Sequence, residues 1–187
     1  MTYCLGVDLG TSFTAAAVFE AGRAEIVELG QRRPQIPTVV YIPPSGEPVV
    51  GDAAERRAVN EPDRVVREFK RRLGDQVGSL VGDELWSAEA LMAQVLAHVL
   101  VEVSRRQGEA PALVALTHPA NWGPYKLDLL AEVARLAKLP EDKVLLVSEP
   151  VAAALHHSHR GRARSGQRYV VYDLGGGTFD ATVVRVD

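Results

Sequence analysis

Two segments of the chain, one near each end, have nearly the same order of residue types. Residues 6–14 read Gly-Val-Asp-Leu-Gly-Thr-Ser-Phe-Thr, and residues 171–180 read Val-Tyr-Asp-Leu-Gly-Gly-Gly-Thr-Phe-Asp. In each copy an apolar run ends in Asp-Leu-Gly, small and hydroxyl residues follow, and a second apolar run begins. The pattern predicts a β-hairpin whose turn binds phosphate. Its duplication predicts two halves that face one nucleotide.

The residues around both turns have the chemistry that such an anion needs. Glycines let the backbone approach a ligand so that successive N–H groups converge on it, and Thr11 and Thr178 add hydroxyl donors. Asp8 and Asp173 precede the turns, where a carboxylate can hold a hydrated Mg²⁺ that bridges phosphate oxygens. Two bare carboxylates in one cleft would repel each other, which favours a pair that holds metal and water. The alternative is that each Asp only forms a tight turn.

Two further segments carry a resemblance to a known family. Residues 68–74 read Glu-Phe-Lys-Arg-Arg-Leu-Gly, and residues 148–155 read Ser-Glu-Pro-Val-Ala-Ala-Ala-Leu. Together with the two loops, in this order, they resemble the actin-like, ribonuclease H-like ATPase superfamily and, within it, the 70-kilodalton heat-shock chaperones of the DnaK type. The Lys-Arg-x-Leu-Gly run separates this family from actin and the sugar kinases. The resemblance covers almost the whole chain.

The resemblance implies a role for residues in each segment. Lys70 matches the lysine that positions the attacking water and offsets charge on the γ-phosphoryl group, and Glu149 matches a glutamate beside the nucleotide. Asp8 and Asp173 match the aspartates that organise Mg²⁺ through water, and Asp173 and Thr178 are implied in catalysis as well. The implied nucleotide-binding residues are Gly10, Thr11, Ser12, Phe13, Gly175, Gly176, Gly177 and Thr178. The implied ligands are ATP or ADP and Mg²⁺, and K⁺ is left open as a further ion.

Local sequence alone also allows plainer interpretations of two of these residues. A lysine within a basic run, such as Lys70, is typical of a solvated surface. A glutamate in the first turn of a helix, such as Glu149, is stabilised by the helix dipole by about 0.5 kcal/mol. For Glu149 both interpretations can hold at once.

The chain departs from the family pattern after Pro119, the residue that matches the family's nucleotide-dependent proline. Ala-Asn-Trp-Gly follows it where the family has Ala-Tyr-Phe-Asn. The arginine that relays nucleotide state outward falls on Leu127, with Lys126 beside it. The stretch between Gly74 and Ser87 is also shorter than in typical chaperones of the family. These differences favour a divergent heat-shock-70-like ATPase.

Composition argues against several other classes of protein. The chain has 187 residues, 47% of them hydrophobic, and a formal net charge of −3, which is typical of a globular protein without a general affinity for nucleic acid. No apolar run is long enough to cross a bilayer, and no signal-peptide pattern precedes the first strand. The single cysteine, Cys4, lies in that strand and is interpreted as a buried small residue. We therefore expect a cytoplasmic protein with neither membrane nor nucleic-acid partners.

Hydrophobic periodicity predicts an α/β fold, with a mixed ribonuclease H-like sheet flanked by helices and a small accessory subdomain. One long helix is expected from an N-cap at Ser87 to near Gly108. A second helix is expected to begin at Pro124. Its expected inward-facing residues are Leu127, Leu130, Ala131 and Ala134. Trp86 and Trp122 are interpreted as packing residues.

Three parts of the chain are expected. Residues 1–33 and 109–160 form the main subdomain, residues 34–108 form the accessory subdomain with Lys70, and residues 168–187 form the first hairpin of a second lobe. The rest of that lobe and the family's peptide-binding domain have no counterpart in the sequence. We expect the chain alone to be an inactive or very weak ATPase. Its strand pair 169–186 is expected to pack back on the first lobe or to pair with another chain.

Three functional classes follow. The first is the ATP-binding and hydrolysing lobe of a heat-shock-70-like chaperone, which would have peptide clients and co-chaperones as partners in the full-length protein. The second is an actin-like ATPase that forms filaments or a scaffold. The third is a sugar or acetate kinase, which would need an acceptor site and a catalytic carboxylate that the sequence does not reveal. Lys70 separates the first class from the others, since its replacement should abolish hydrolysis and largely spare binding.

Overall fold

The computed structural model describes residues 2–31, 33–157, 166–176 and 179–186. The strands are β1 (Cys4–Leu9), β2 (Phe13–Glu20), β3 (Arg23–Ile26), β4 (Gln35–Pro37), β5 (Val39–Tyr41), β6 (Val49–Val50), β7 (Val65–Arg67), β8 (Ser79–Val81), β9 (Glu84–Trp86), β10 (Leu113–His118), β11 (Val144–Ser148), β12 (Arg168–Leu174) and β13 (Phe179–Arg185). The α-helices are α1 (Asp52–Arg57), α2 (Ala88–Gln107), α3 (Pro124–Leu136) and α4 (Glu149–His157). Short 3₁₀ turns cover Pro62–Arg64, Phe69–Arg72 and Glu141–Lys143.

The central sheet is mixed. Among the described residues its order is β11-β10-β1-β2-β3, and β4 also pairs with β2. Strand β1 lies parallel to β10 and antiparallel to β2, and β10 is parallel to β11. The parallel pair β10 and β11 is connected through α3, as parallel strands require a crossover. This architecture confirms the predicted α/β fold class.

One face of the sheet forms the core with α2 and α3. Side chains alternate along a strand, and in β1 Leu5, Val7 and Leu9 are buried in the same hydrophobic cluster as residues of both helices. Cys4 lies on the other face and is only half-buried, so its predicted full burial is wrong. The reason is the alternation of side chains along β1. Cys4 and Leu5 point to opposite faces of the sheet, and the face of Cys4 is less covered.

Helix α2 forms as its sequence predicts. Ser87 accepts a hydrogen bond from the backbone N–H of Ala90 at 3.1 Å, which satisfies one of the unpaired donors of the first turn. At the other end Gly108 adopts a left-handed conformation with φ 78°, and its N–H donates to the Ser104 carbonyl at 2.8 Å. The buried stripe consists of Ala88, Leu91, Met92, Ala93, Val95, Leu96, Val99 and Val103.

Helix α3 begins at Pro124, as predicted, but its inward face is shifted. Leu130 and Ala134 are buried, Leu127 is half-buried, and Ala131 is exposed. Val133 is buried instead of Ala131. Each residue turns the helix by about 100°, so a stripe through 130, 133 and 134 leaves position 131 on the solvent side.

The accessory segment consists of small elements. Strands β6, β5 and β7 form one sheet, in that order, next to α1, and β8 pairs with β9. Val39, Tyr41 and Ala54 make a separate small hydrophobic cluster here. Phe69, Leu73 and Val81, however, belong to the same cluster as the central sheet. The accessory segment therefore shares the main core.

Strands β12 and β13 form an antiparallel hairpin that lies against α4. The ring of His157 in α4 meets the ring of Tyr169 edge-on, with centroids 5.3 Å apart. On the opposite face Tyr172 and Phe179 stack on each other and are exposed. The hairpin thus packs back on α4, which agrees with one of the two expected arrangements. No helix within the described residues is both long and apolar enough to span a bilayer.

Candidate functional site

A cavity of about 780 Å³ lies where the two predicted phosphate loops meet the Phe69–Arg72 turn and the start of α4. Its lining residues are Asp8, Gly10, Thr11, Ser12, Phe13, Gln35, Lys70, Arg71, Pro119, Asn121, Trp122, Lys126, Glu149, Asp173, Leu174, Gly175, Gly176, Phe179 and Asp180. Charged and polar groups dominate the list, as an anionic ligand with a cation would require. The structure therefore brings together residues from every segment that the sequence singled out.

The first loop is a tight connection between β1 and β2. A Cβ atom on Gly10 would overlap the carbonyl oxygen of Phe13, so only glycine fits this turn. Behind the loop the buried hydroxyl groups of Thr14 and Thr38 are hydrogen-bonded at 2.8 Å, and the Thr38 N–H donates to the Ser12 carbonyl at 2.9 Å. These bonds hold the loop at the edge of the cavity.

The second loop approaches the first. A Cβ atom on Gly176 would overlap the side chain of Ser12, so the absence of a side chain allows the two loops to touch. The Nδ2 atom of Asn121 also donates to Oδ1 of Asp180, at 3.4 Å. Gly177 and Thr178, two predicted residues of this loop, lie outside the described residues.

The two loop aspartates line the same cavity. Asp8 accepts a hydrogen bond at Oδ1 from Oγ1 of Thr117, 2.8 Å away, which orients its carboxylate. Asp8 and Asp173 are both close enough to Glu149 for their negative charges to raise its pKa. Within the described residues no three His, Cys, Asp or Glu side chains form a metal-binding cluster. Separated carboxylates of this kind fit a cation held through water and phosphate oxygens, as Mg²⁺ commonly is.

Lys70 and Glu149 form a largely buried ion pair across the cavity. Nζ of Lys70 lies 2.9 Å from Oε1 of Glu149, and the two side chains are 7% and 18% exposed. Lys70 sits in the Phe69–Arg72 turn, which Phe69 anchors in the core and which follows Glu68 in a left-handed conformation with φ 55°. Glu149 begins α4 directly after β11. The interpretation of Lys70 as a solvated surface residue is therefore wrong, because the buried Phe69 side chain anchors its turn in the core.

Burial is the main influence on the Glu149 carboxyl group. Desolvation raises the pKa of Glu149 above its usual value, and the ammonium of Lys70, which favours the charged form, opposes this effect. Asp8 and Asp173 add to the upward shift. Additional negative charge in this cavity is thus unfavourable unless cations accompany it.

The amino-acid sequence is similar to those of known proteins. The pattern of the family described as "Hsp70 protein" matches residues 4–81 and 76–187. The chain belongs to the Hsp70 family. It is also 34% identical over 190 residues to the chaperone protein DnaK of Elusimicrobium minutum (strain Pei191), a match that covers 100% of the chain and 30% of that relative. The chain therefore spans less than a third of the length of this relative. These matches confirm the predicted family, support a chaperone nucleotide-binding domain, and favour neither the filament nor the kinase alternative.

Most of the site residues that the Hsp70 resemblance implies line the cavity. They are Asp8, Gly10, Thr11, Ser12, Phe13, Lys70, Glu149, Asp173, Gly175 and Gly176. Pro119 lines it too, whereas Leu127, at the position of the relay arginine, is not among its lining residues. The catalytic and ligand-binding roles of these residues stay predictions.

Sequence reasoning missed a group of residues around Trp122. The Trp122 ring lines the cavity, and the ammonium nitrogens of Lys70 and Lys126 each lie 5.6 Å from its centroid. His118 stacks near the same ring, at 6.4 Å between centroids. Trp122 packs against the main hydrophobic cluster, as predicted, and its ring also lines the cavity. The available signal was its position just after Pro119, within a segment already marked as functional.

Proposed function

We propose that this chain is the part of an Hsp70-type chaperone that binds Mg·ATP and, in the full-length protein, hydrolyses it to ADP and phosphate. One observation carries the proposal: the buried pair of Lys70 and Glu149 lies in the same cavity as both glycine-rich loops. A phosphate chain between the loops would place its outer end near the Lys70 ammonium. An ammonium has three donor hydrogens, so Lys70 can keep its bond to Glu149 and still contact phosphate.

The proposed reaction is an in-line attack by water. The water oxygen forms a bond to the γ-phosphorus, the bond from that phosphorus to the bridging oxygen of ADP breaks, and the water proton passes to Asp173 and on to solvent. Lys70 offsets the negative charge that develops on the γ-phosphoryl oxygens, and Glu149 holds Lys70 in place. Mg²⁺, held through water by Asp8 and Asp173, would supply charge neutralisation on the phosphates.

The role of the second loop is proposed on the same basis. Gly175 and Gly176 line the cavity, and we assign Gly177 and Thr178 to the same phosphate contacts by their place in the loop. The division into a main subdomain (1–33 and 109–160), an accessory subdomain (34–108) and a hairpin of a second lobe (168–187) is also a proposal. We also propose K⁺ as a further ion, peptide clients and co-chaperones as partners, association through residues 169–186, and a cytoplasmic location.

Replacing Lys70 tests the proposal. In the full-length protein Lys70→Met should lower ATP hydrolysis about 10²–10³-fold, because it removes a preorganised positive charge, and should change the Kd for Mg·ATP only about fivefold. Lys143→Met, which removes the same charge elsewhere, should leave both unchanged. Since Lys70→Met leaves Glu149 buried without its partner, the double variant Lys70→Met with Glu149→Gln provides a second measurement without the uncompensated charge.

Three outcomes would contradict the proposal. Hydrolysis that survives in both Lys70 variants, with folding confirmed by thermal unfolding, would remove Lys70 from the reaction. ATP-dependent sedimentation of the protein would favour the actin-like alternative. Release of ADP that depends on an added sugar or acetate would favour the kinase alternative.

A further inference from the structure

Three cationic side chains among the described residues line the cavity, and they differ in their partners. Lys70 is paired with Glu149 at 2.9 Å, and Arg71 is paired with Glu68 at 3.2 Å. Lys126 has no carboxylate within ion-pair distance among residues 2–31, 33–157, 166–176 and 179–186. Among the described residues that line the cavity, Lys126 is thus the cationic residue that is not paired with a carboxylate.

The Trp122 ring places Lys126 at the same end of the cavity as Lys70. Both ammonium nitrogens lie 5.6 Å from the centroid of this one ring, a distance at which the ring face attracts a cation. Lys126 is only half-buried and lines the cavity. Two like charges near one aromatic ring repel each other, and an anion bound at this end of the cavity would reduce that repulsion.

The position of Lys126 in α3 supports the same conclusion. It is the third residue of the helix, and the first turn has no acidic residue. The N-terminal end of a helix carries partial positive charge and stabilises anions, so the positive charge of a lysine there is unfavourable. An anion that enters the cavity would interact favourably with both the lysine and the helix end. The arrangement is therefore suited to the bound form of the protein.

We propose that Lys126 is a phosphate-binding residue that contacts the outermost phosphate of the nucleotide, together with Lys70, and that Trp122 holds it in position. This inference rests on the proposed function, since it presumes a triphosphate between the two loops. It adds a second cation at the γ-phosphate end. It also gives the chain a preference for ATP over ADP that depends on Lys126.

The test is calorimetric titration of the full-length protein with Mg·ATP and Mg·ADP. Lys126→Met should weaken Mg·ATP binding about ten- to hundredfold, which corresponds to one lost hydrogen bond to a charged group, and Mg·ADP binding at most about fivefold. Lys126→Arg keeps the charge and should keep the preference for ATP. Lys138→Met removes the same charge from an exposed position just after α3 and should change neither affinity.

Each result decides the matter. Equal losses for ATP and ADP in Lys126→Met, or a loss no larger than that of Lys138→Met, would overturn the role at the outermost phosphate. Binding lost in Lys126→Arg as fully as in Lys126→Met would show that positive charge is not what matters, and would also overturn it. If the unaltered full-length protein bound neither nucleotide, the proposed function itself would fail, which is distinct from a failure of Lys126 alone.

Discussion

The two phosphate loops have nearly the same sequence but very different surroundings. In both, the aspartate lies one residue before the end of its strand, and Asp8 is paired with Ala15 as Asp173 is with Asp180. In the first hairpin Leu5 is fully buried. In the second, Val170 is 55% exposed and Tyr172 is 70% exposed.

This difference separates what local sequence determines from what neighbours determine. Apolar runs around a glycine turn are sufficient to specify the hairpin and the place of its aspartate. Burial comes from adjacent elements: β1 lies between β10 and β2, whereas within the described residues β12 pairs with β13 alone. The first hairpin should therefore matter most for stability and the second most for binding.

Core truncation in the two hairpins should show the largest contrast. Leu5→Ala opens a cavity in the main core and should lower the free energy of unfolding by about 2–5 kcal/mol. Val170→Ala removes methyl groups from an exposed face and should change it by about 0.5 kcal/mol or less. Urea unfolding followed by circular dichroism measures both. Similar destabilisation by the two variants would mean that the second hairpin has a buried environment.

The loop glycines should separate stability from binding. Gly10→Ala would force the Phe13 carbonyl to move within a tight turn, and we expect it to cost about 1–3 kcal/mol of stability. Gly176→Ala would push the second loop away from Ser12, and we expect it to leave stability unchanged and to weaken Mg·ATP binding about tenfold. Unfolding curves and calorimetric titration of both variants test the contrast. Equal stability loss in the two would contradict it.

The smallest expected effect concerns pH. Because burial raises the pKa of Glu149 above 4.5, the folded protein keeps this proton to a higher pH than the unfolded chain. The free energy of unfolding should therefore fall as pH rises from about 4.5 through the raised pKa. Glu149→Gln should lose this decrease while keeping an acceptor for Lys70. Urea unfolding of both proteins between about pH 4 and 8 is the measurement, and parallel profiles would exclude Glu149 as the source.

Much of the framework was predictable from sequence because its signals are local. The ends of α2 follow from Ser87 and Gly108, and both hairpins follow from their glycine turns. Which residues of α3 are buried was less predictable. Ala131 and Val133 lie a fraction of a helical turn apart, and the packing of α3 against its neighbours determines which of the two is buried.

The contacts inside the site were not predictable without the resemblance. Lys70 and Glu149 are 79 positions apart, and Asp8 and Thr117 are 109 apart. Such pairs exist only because separate elements meet at one edge of the sheet. The lysine contacts of Trp122 were not predictable for the same reason, as its two lysine neighbours come from different elements.

Phe69 connects the position of Lys70 to the rigidity of the whole molecule. It is fully buried in the main core while the next residue carries the ammonium group. Any hinge rotation that swung the Phe69–Arg72 turn outward would have to expose this ring to water, at a cost of about 2 kcal/mol or more. The Lys70 turn should therefore stay fixed to the core when other parts of the site adjust to a ligand.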